Sequence, residues 1–266
     1  KSRAVRRFAH VAVLKRVGLG SLALRATFSC VDTWTSLFEG IENLGAKFVL
    51  EELPVRDVEA LMVELARGDS TEKTGEIVEE HLATGGKRLR ARLALAAAKA
   101  LGASVESAVA WAAASELLHN ATLVHDDLQD GDEVRRGKPT AWVRHGMPSA
   151  INAGDLLLVL PTLAIARVPA SDFVRWHLSC ALASDATRVI RGQVAEFEMT
   201  RLYRFSLHDY NVAIEGKTSP LFELPVVGSA LVAYLEPVAA RASGLPFRTL
   251  VTLFQLQDDS LVLYGE

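Results

Sequence analysis

Residues 104–130 read SVESAVAWAAASELLHNATLVHDDLQD, and this stretch decides the fold class. Its apolar residues recur at spacings of three and four and are mostly alanine and leucine, a pattern typical of an α-helix. Between Ser104 and His125 the only acidic residues are Glu106 and Glu116. A helix that is apolar on nearly every side is expected in the centre of a helical bundle.

The same periodicity predicts helices over residues 55–67, 88–101, 172–199 and 208–214, and alternating runs typical of strands are scarce. Helix ends are predicted where glycine and proline interrupt the pattern: Gly68, Gly85, Gly86, Gly102, Gly131, and residues 137–139, 146–148 and 244–246. There is no repeat of fixed period, low-complexity block or linker. The sequence therefore predicts one all-α domain over residues 51–266, preceded by a segment of unclear role over residues 1–50.

Composition excludes several classes of protein. The 29 lysine and arginine residues nearly balance the 32 aspartate and glutamate residues, so no global field would attract nucleic acid. The only cysteines, Cys30 and Cys180, show no disulfide-framework or zinc spacing and fit a reducing compartment, so we expect a cytoplasmic protein. The longest apolar run is bracketed by Asp155 and Arg167 and contains Pro161, which argues against a transmembrane segment.

The ends of the chain are less informative. The first 31 residues carry seven basic residues and no acid, which suits either a solvated basic helix or a transit or membrane-surface segment. Because the chain begins with Lys1 and stops at Glu266, we expect that natural sequence is missing and that the C-terminal part of the domain is incomplete.

An acidic cluster follows the apolar helix. If the helix continues, Asp126 and Asp130 lie four residues apart and Asp127 and Asp130 three apart, so their carboxylates share one face. Two carboxylates ~6 Å apart repel by roughly 3 kcal/mol, and the helix dipole disfavours negative charge at this end. A magnesium ion would relieve that repulsion, whereas the motif alone is also compatible with an acidic turn facing solvent.

Two arginines stand beside the acids. Arg135 and Arg136 are followed by Gly137 and Lys138, and paired guanidinium groups on a short loop suit multidentate recognition of phosphate. Metal-binding acids next to phosphate-binding arginines indicate a diphosphate substrate.

A set of ordered motifs resembles one family: TGGKRLR (84–90), ELLHNATLVHDDLQD (116–130), RRGKPTAW (135–142), NAGD (152–155), GQ (192–193), EGKT (215–218) and FQLQDD (254–259). Together they are similar to the trans-isoprenyl diphosphate synthases, or polyprenyl synthetases, and most like a geranylgeranyl diphosphate synthase. The resemblance implies an isoprenoid-synthase-type helical bundle around a central active-site cavity, a homodimer, and three Mg²⁺ ions per site. The implied reaction is head-to-tail condensation of isopentenyl diphosphate with dimethylallyl, geranyl or farnesyl diphosphate.

The resemblance also implies roles for individual residues. The catalytic set carried over by motif is Asp126, Asp127, Asp130, Lys217, Thr218, Gln255, Asp258 and Asp259. Magnesium would be held by Asp126, Asp130 and Asp258, with Gln193 and Glu196 supporting the region of the metal and Lys217. Arg135 would neutralise the allylic diphosphate, and the isopentenyl diphosphate seat would comprise Lys87, Arg90, His119 and Arg136. One helical turn between Lys87 and Arg90 would let both face one anion.

Product length in this family depends on the residues one turn before the first acidic motif. Here they are Ala121 and Thr122, and their small side chains predict a tunnel that extends towards Leu118 and a product of twenty carbons or more. Alternatively, these small side chains serve only close helix packing.

The sequence departs from the family pattern at the second acidic motif, where Val262 replaces the usual last aspartate. That departure is the main support for an alternative, a weakly active or non-catalytic partner subunit of a prenyltransferase. A class I terpene cyclase shares the fold and acidic motif but needs no seat for isopentenyl diphosphate, so Lys87, Arg90 and His119 argue against it.

Overall fold

The computed structural model describes residues 53–68, 73–201 and 206–264, and gives only the backbone of residues 200, 201, 207, 253, 254 and 256–264. The segment over residues 1–50 lies outside this description. Within the described ranges the helices are α1 (Val55–Arg67), α2 (Lys73–Leu82), α3 (Leu89–Ala100), α4 (Val105–Asp130), α5 (Ala141–His145), α6 (Met147–Ala166), α7 (Asp172–Arg201), α8 (Leu207–Lys217), α9 (Pro220–Val232) and α10 (Pro237–Tyr264). The predicted all-α class is confirmed.

Helix α4 occupies the centre of the bundle, as its composition predicts. It begins at the N-cap Ser104, whose Oγ accepts a hydrogen bond from the Ser107 N–H at 3.2 Å. It continues through the acidic cluster and ends at Gly131, which adopts the left-handed conformation. Helices α1, α3, α6 and α9 all pack against α4, so the carboxylates at its end emerge from the core.

Trp111 fixes the contact between α4 and α9. Its side chain is fully buried, and its Nε1–H donates to the Pro225 carbonyl at 2.9 Å. A Cβ atom at Gly228 would lie 1.8 Å from the Trp111 ring, so only glycine allows α9 to approach this closely. Helix α9 therefore carries the residues that follow Lys217 directly onto the central helix.

One predicted helix end is wrong. Residues 244–246 were expected to interrupt the chain, but α10 continues through Gly244 and Pro246. A Cβ at Gly244 would lie 2.7 Å from the Val227 side chain, so this glycine serves close packing of α10 on α9. The stop at residues 137–139 is instead a hairpin, in which β1 (Val134–Arg135) pairs with β2 (Lys138–Pro139).

Helix α6 is long and apolar enough to cross a membrane by length and composition alone. Core helices of soluble proteins pass the same test, and α6 packs closely on α4 with Ala153, Leu157, Leu160 and Ala164 buried. This packing against the central helix assigns α6 to the bundle.

Candidate functional site

The carboxylates of Asp126 and Asp130 lie one turn apart at the end of α4, where the sequence predicts them. Burial raises the pKa of Asp126 to about 6, and the negative charges of Asp130 and Glu196 act in the same direction against the charge of Lys217. Two acids crowded in this way are stabilised by an added cation.

Asp127 has a different neighbour. The Arg135 Nε–H lies 2.8 Å from both Asp127 carboxylate oxygens, and Nη2 lies 2.5 Å from Oδ1. The pair is nearly inaccessible, with 3% of the Asp127 side chain and 14% of the Arg135 side chain exposed. The pair fixes the hairpin to the end of α4. Arg135 therefore donates to a protein carboxylate, whereas the resemblance implies that it binds the allylic diphosphate.

Lys217 faces the acids from the last residue of α8. Its Nζ lies 2.7 Å from Glu196 Oε2 and 3.7 Å from Asp126 Oδ2. The backbones of α7 and α8 meet at Gly192 and Gly216, where a Cβ on Gly192 would lie 2.2 Å from the backbone nitrogen of Lys217. The glycines of the GQ and EGKT motifs therefore allow α7 and α8 to pack closely, and this close packing brings Lys217 to the carboxylates.

The remaining residues of this side are placed as follows. Gln193 donates from Nε2 to Gln129 Oε1 at 3.0 Å, which ties α7 to the last turn of α4. Thr218 follows α8 as its C-cap residue, and Gln255 lies on α10. Asp258 and Asp259 lie on the described backbone of α10, but their side chains fall outside the description.

A basic cluster lies on the other side of the hairpin. The turn residues Arg136 and Gly137 both have positive φ, 52° and 77°, which suits a two-residue hairpin turn but is unusual for arginine. This conformation packs the Arg136 guanidinium against Gly86, where a Cβ would lie 2.7 Å from it. The TGGKRLR and RRG motifs are thus in contact.

His119 lies within this cluster. Burial and the positive charges of Arg90 and Arg136 lower the pKa of His119 well below its usual value, so the ring is neutral near pH 7. Its buried Nδ1 has no hydrogen-bond partner among the described residues. The structure therefore brings together Arg90, His119 and Arg136, three of the four residues expected to form the second diphosphate seat.

Lys87 differs from the expectation. Helix α3 begins at Leu89, after Arg88 adopts a left-handed φ of 49°, so Lys87 and Arg90 are not one helical turn apart. The residue Lys87 is exposed, whereas Arg88 is buried and donates from Nε to Glu59 Oε1 at 2.8 Å. Lys87 thus stands in the loop at the rim of the cluster.

A cavity of about 180 Å³ borders the Asp127–Arg135 pair between α2, the hairpin and α5. His81 lines this cavity, and its Nε2 lies 3.2 Å from Asn120 Oδ1. Burial, together with the charges of Arg135, Arg136 and Arg88, lowers the pKa of His81 to about 4. The His81 ring is therefore neutral in the folded protein at physiological pH.

We expect His81 to make the protein less stable as pH drops from 7 to 4, whereas Asp126, whose pKa burial raises to about 6, acts in the opposite direction. Because the unfolded chain protonates His81 near its usual pKa of 6.5 and the folded chain only near 4, the unfolded state binds more protons in this window. The shift corresponds to about 3 kcal/mol. Urea unfolding at several pH values should show a smaller loss of stability between pH 7 and pH 4 in His81→Gln than in the wild type. An unchanged slope in His81→Gln would contradict this assignment.

Sequence reasoning missed three side chains near the site. Phe222 stacks on Arg90, with the guanidinium carbon 4.4 Å from the ring centroid. Glu116 is 3% exposed and accepts the Ala91 N–H at 3.0 Å, and Glu223 is fully buried between arginines. A lone acid in an apolar helix was a visible signal for Glu116, but no local pattern marks Phe222 or Glu223.

The chain resembles known proteins in both sequence and structure. It is 35% identical over 199 residues to the short chain isoprenyl diphosphate synthase of Methanocaldococcus jannaschii, covering 74% of this chain and 60% of that protein. It is 37% identical over 183 residues to the (2E,6E)-farnesyl diphosphate synthase of Mycobacterium tuberculosis, covering 68% of this chain and 50% of that protein. This chain thus spans less than two thirds of the length of these relatives.

The crystal structure of geranylgeranyl pyrophosphate synthetase from Pyrococcus horikoshii superposes with a TM-score of 0.76 at 29% identity, covering 85% of this chain and 68% of that one. The sequence pattern described as polyprenyl synthetase matches residues 71–266. The acidic motif on α4, the glycine-mediated placement of Lys217 and the basic cluster at the hairpin all fall within this match, and the chain belongs to the polyprenyl synthetase family.

Proposed function

We propose that the protein is a magnesium-dependent prenyltransferase that condenses isopentenyl diphosphate head-to-tail with an allylic diphosphate. The observation that carries this proposal is the pair of clusters at the end of α4. Carboxylates face Lys217 in one cluster, and Arg90, His119 and Arg136 gather in a second cluster. Two clusters suit two diphosphates, one bound through metal and one through arginine. The names of the relatives support the same reaction.

The side chains of the acidic cluster fit magnesium. Asp126 and Asp130 supply hard oxygen donors, and a bound cation would offset the burial and the neighbouring negative charges that raise the pKa of Asp126. Magnesium typically takes one or two protein carboxylates and completes its shell with water and phosphate. Asp126, Asp130 and Asp258 would hold the metal, and we propose three ions per site. Bound magnesium would neutralise the negative charge of the departing diphosphate.

The other residues of the site bind and orient. Lys217 lies where it can contact the allylic diphosphate, and Glu196 and Gln193 hold the surrounding elements together. Thr218, Gln255 and the second acidic pair, Asp258 and Asp259, are proposed to complete this side with neutral oxygens and further metal ligands. The apolar faces of the surrounding helices would exclude water from the reactive allylic carbon.

The reaction is tested with the purified chain, Mg²⁺, labelled isopentenyl diphosphate and dimethylallyl, geranyl or farnesyl diphosphate in turn, with chain lengths resolved by chromatography. Elongation from an allylic primer supports the proposal. If no primer is elongated but magnesium and diphosphate together raise the melting temperature, the chain binds the substrates without turnover and the partner-subunit alternative takes its place.

We further propose a product of twenty carbons, geranylgeranyl diphosphate. Thr122 lies one turn before Asp126 on α4, and Ala121 and Leu118 beside it are buried. The relatives carry names of farnesyl, geranylgeranyl and short-chain synthases, so the family alone does not decide the length. Small residues at this turn support a tunnel that continues past it, and longer polyprenyl products are the alternative.

Thr122→Phe is expected to shorten the main product to fifteen carbons, because the aromatic ring would fill the tunnel one turn from Asp126. Thr122→Val, which has nearly the same volume, should leave the product length unchanged and serves as the matched control. Both are read from the product distribution with farnesyl diphosphate as primer. An unchanged distribution in Thr122→Phe would place the end of the tunnel elsewhere.

We also propose a homodimer formed along α7. Exposed uncharged residues recur on this helix at alternating spacings of three and four: Phe173, Trp176, Cys180, Ala183, Thr187, Ile190 and Val194. This heptad spacing is the pattern by which two helices pack together, and a second copy would present the same stripe in an isologous interface. We also propose a cytoplasmic location, because the cysteine usage fits a reducing compartment, and fractionation of cells expressing a tagged protein would test it.

Ile190→Glu is expected to convert a dimer to a monomer, because it places a charge within the stripe of exposed uncharged residues. Val238→Glu, on a residue that is 84% exposed at the start of α10, is the matched apolar-to-acid control and should remain dimeric. Size-exclusion chromatography with light scattering distinguishes the two states. A wild-type monomer at micromolar concentration would refute the interface.

A further inference from the structure

Arg90 and Arg135 are held in different ways. The Nε and Nη2 donors of Arg135 bind the carboxylate of Asp127. The guanidinium of Arg90 lies instead over the ring of Phe222, 4.4 Å from the centroid. An aromatic face attracts a cation through its quadrupole, so this contact needs no hydrogen bond from the guanidinium N–H groups. Phe222 can therefore hold Arg90 without using the donors that recognise phosphate.

The backbone beside Arg90 is fixed as well. The next residue, Ala91, donates its N–H to the buried Glu116 carboxylate at 3.0 Å, which ties the first turn of α3 to α4. Burial lowers the pKa of Arg90 to about 10, and the negative charge of Glu116 opposes this shift. The cation is thus partly shielded from water but keeps its charge.

Two buried polar atoms of the basic cluster lack a hydrogen-bond partner among the described residues. One is Nε of Arg90, and the other is Nδ1 of the neighbouring His119. Buried donors are normally paired, so two unpaired polar atoms on adjacent side chains indicate a polar ligand at this place. Arg136, fixed against Gly86, borders the same cluster.

We propose that Phe222 is a positioning residue for the isopentenyl diphosphate seat, holding the Arg90 guanidinium over its ring while leaving its N–H donors for the diphosphate. The inference rests on the proposed function. Phe222 lies in the first turn of α9, four residues after Thr218, so this ring also links the segment that serves the allylic side to the second seat. Its effect should nevertheless fall on isopentenyl diphosphate, since its contact is with Arg90.

The test separates the two substrates. Phe222→Leu, which keeps the apolar bulk but loses the ring, is expected to raise the KM for isopentenyl diphosphate about 3- to 30-fold, the range for a desolvated cation–π contact. The KM for the allylic primer and kcat should change less than about twofold. Phe222→Tyr retains the ring face and should restore the wild-type KM. If the leucine variant does not fold, Phe222→Met replaces it.

A double-mutant cycle decides whether Phe222 acts through Arg90. In the Arg90→Gln background, Phe222→Leu should add less than about a twofold loss of affinity, because the cation is already absent. Calorimetric titration of each variant with isopentenyl diphosphate, and with inorganic diphosphate, measures affinity without turnover. Additive losses in the cycle, or equal increases in both KM values, would overturn the positioning role. A wild-type protein that binds neither ligand would instead remove the proposed function, and this inference with it.

Discussion

Replacing Asp126 by asparagine is expected to lower the rate of prenyl transfer by about 10²- to 10³-fold, the usual loss when one preorganised electrostatic group is removed from an active site. The substitution keeps the shape of the side chain and removes only its charge. Asp126 stands at the junction of the acidic cluster, one turn from Asp130 and 3.7 Å from the Lys217 ammonium. Its loss therefore affects metal binding and the balance of charge around Lys217 together.

Asp172→Asn is the matched control, since this aspartate is at the start of α7 with 98% of its side chain exposed. It should retain the wild-type rate. A magnesium titration of the rate adds a second measurement, in which Asp126→Asn should require a higher metal concentration for half-maximal activity. If Asp126→Asn kept more than about a tenth of the wild-type rate, the cluster could not be the site of diphosphate departure.

The parts of this fold that could be predicted are those with local causes. The periodicity of residues 55–67 predicts α1 to the residue, and the Ala-rich run before Asp126 predicts the central helix. The predicted stop at Pro246 fails because packing overrides local propensity: Gly244 lies against Val227, and α10 continues across the proline. The rule for helix ends is local, whereas this contact joins two helices.

The same division applies to the candidate site. Asp126 and Asp130 are brought together by helix spacing alone, and that spacing was visible. The bond between Asp127 and Arg135 depends on a hairpin turn in which Arg136 takes a conformation that is rare for arginine. The stack of Phe222 on Arg90 joins residues far apart in sequence, so no local pattern could reveal it.

A second large effect is expected at Glu223, a fully buried carboxylate on α9. Arg248 of α10 donates to it from Nε at 2.9 Å and Nη2 at 3.0 Å, and Arg188 of α7 donates from Nη2 at 3.0 Å. Although burial opposes ionisation, the hydrogen bonds from Arg248 and Arg188 hold the pKa of Glu223 below its usual value. Arg188 also binds the buried Asp185, so this cluster joins three helices.

Glu223→Ala is expected to destabilise the protein by about 1.5 to 3 kcal/mol, the range for hydrogen bonds to charged groups. It removes the shared partner of Arg188 and Arg248, whose side chains are 29% and 40% exposed and can be hydrated in its absence. Glu223→Gln keeps the volume and part of the hydrogen bonding, so its loss should be smaller. Glu64→Ala, which breaks the exposed pair with Arg167, is the control and should shift the urea midpoint little. A loss in Glu223→Ala no greater than in Glu64→Ala would show that Arg188 and Arg248 find other partners or are hydrated instead.

The position of Glu223 gives this stability a consequence for the site. Arg248 precedes Asp258 and Asp259 on the same helix α10, and Arg188 precedes Gly192 on α7, where the backbone contacts the segment that carries Lys217. The cluster thus fixes the helix of the second acidic motif to the helix that positions Lys217. Glu223→Gln should therefore raise the magnesium concentration needed for half-maximal activity even at temperatures where the variant is fully folded. A magnesium requirement equal to that of the wild type, in a variant of measurably lower stability, would confine Glu223 to a structural role.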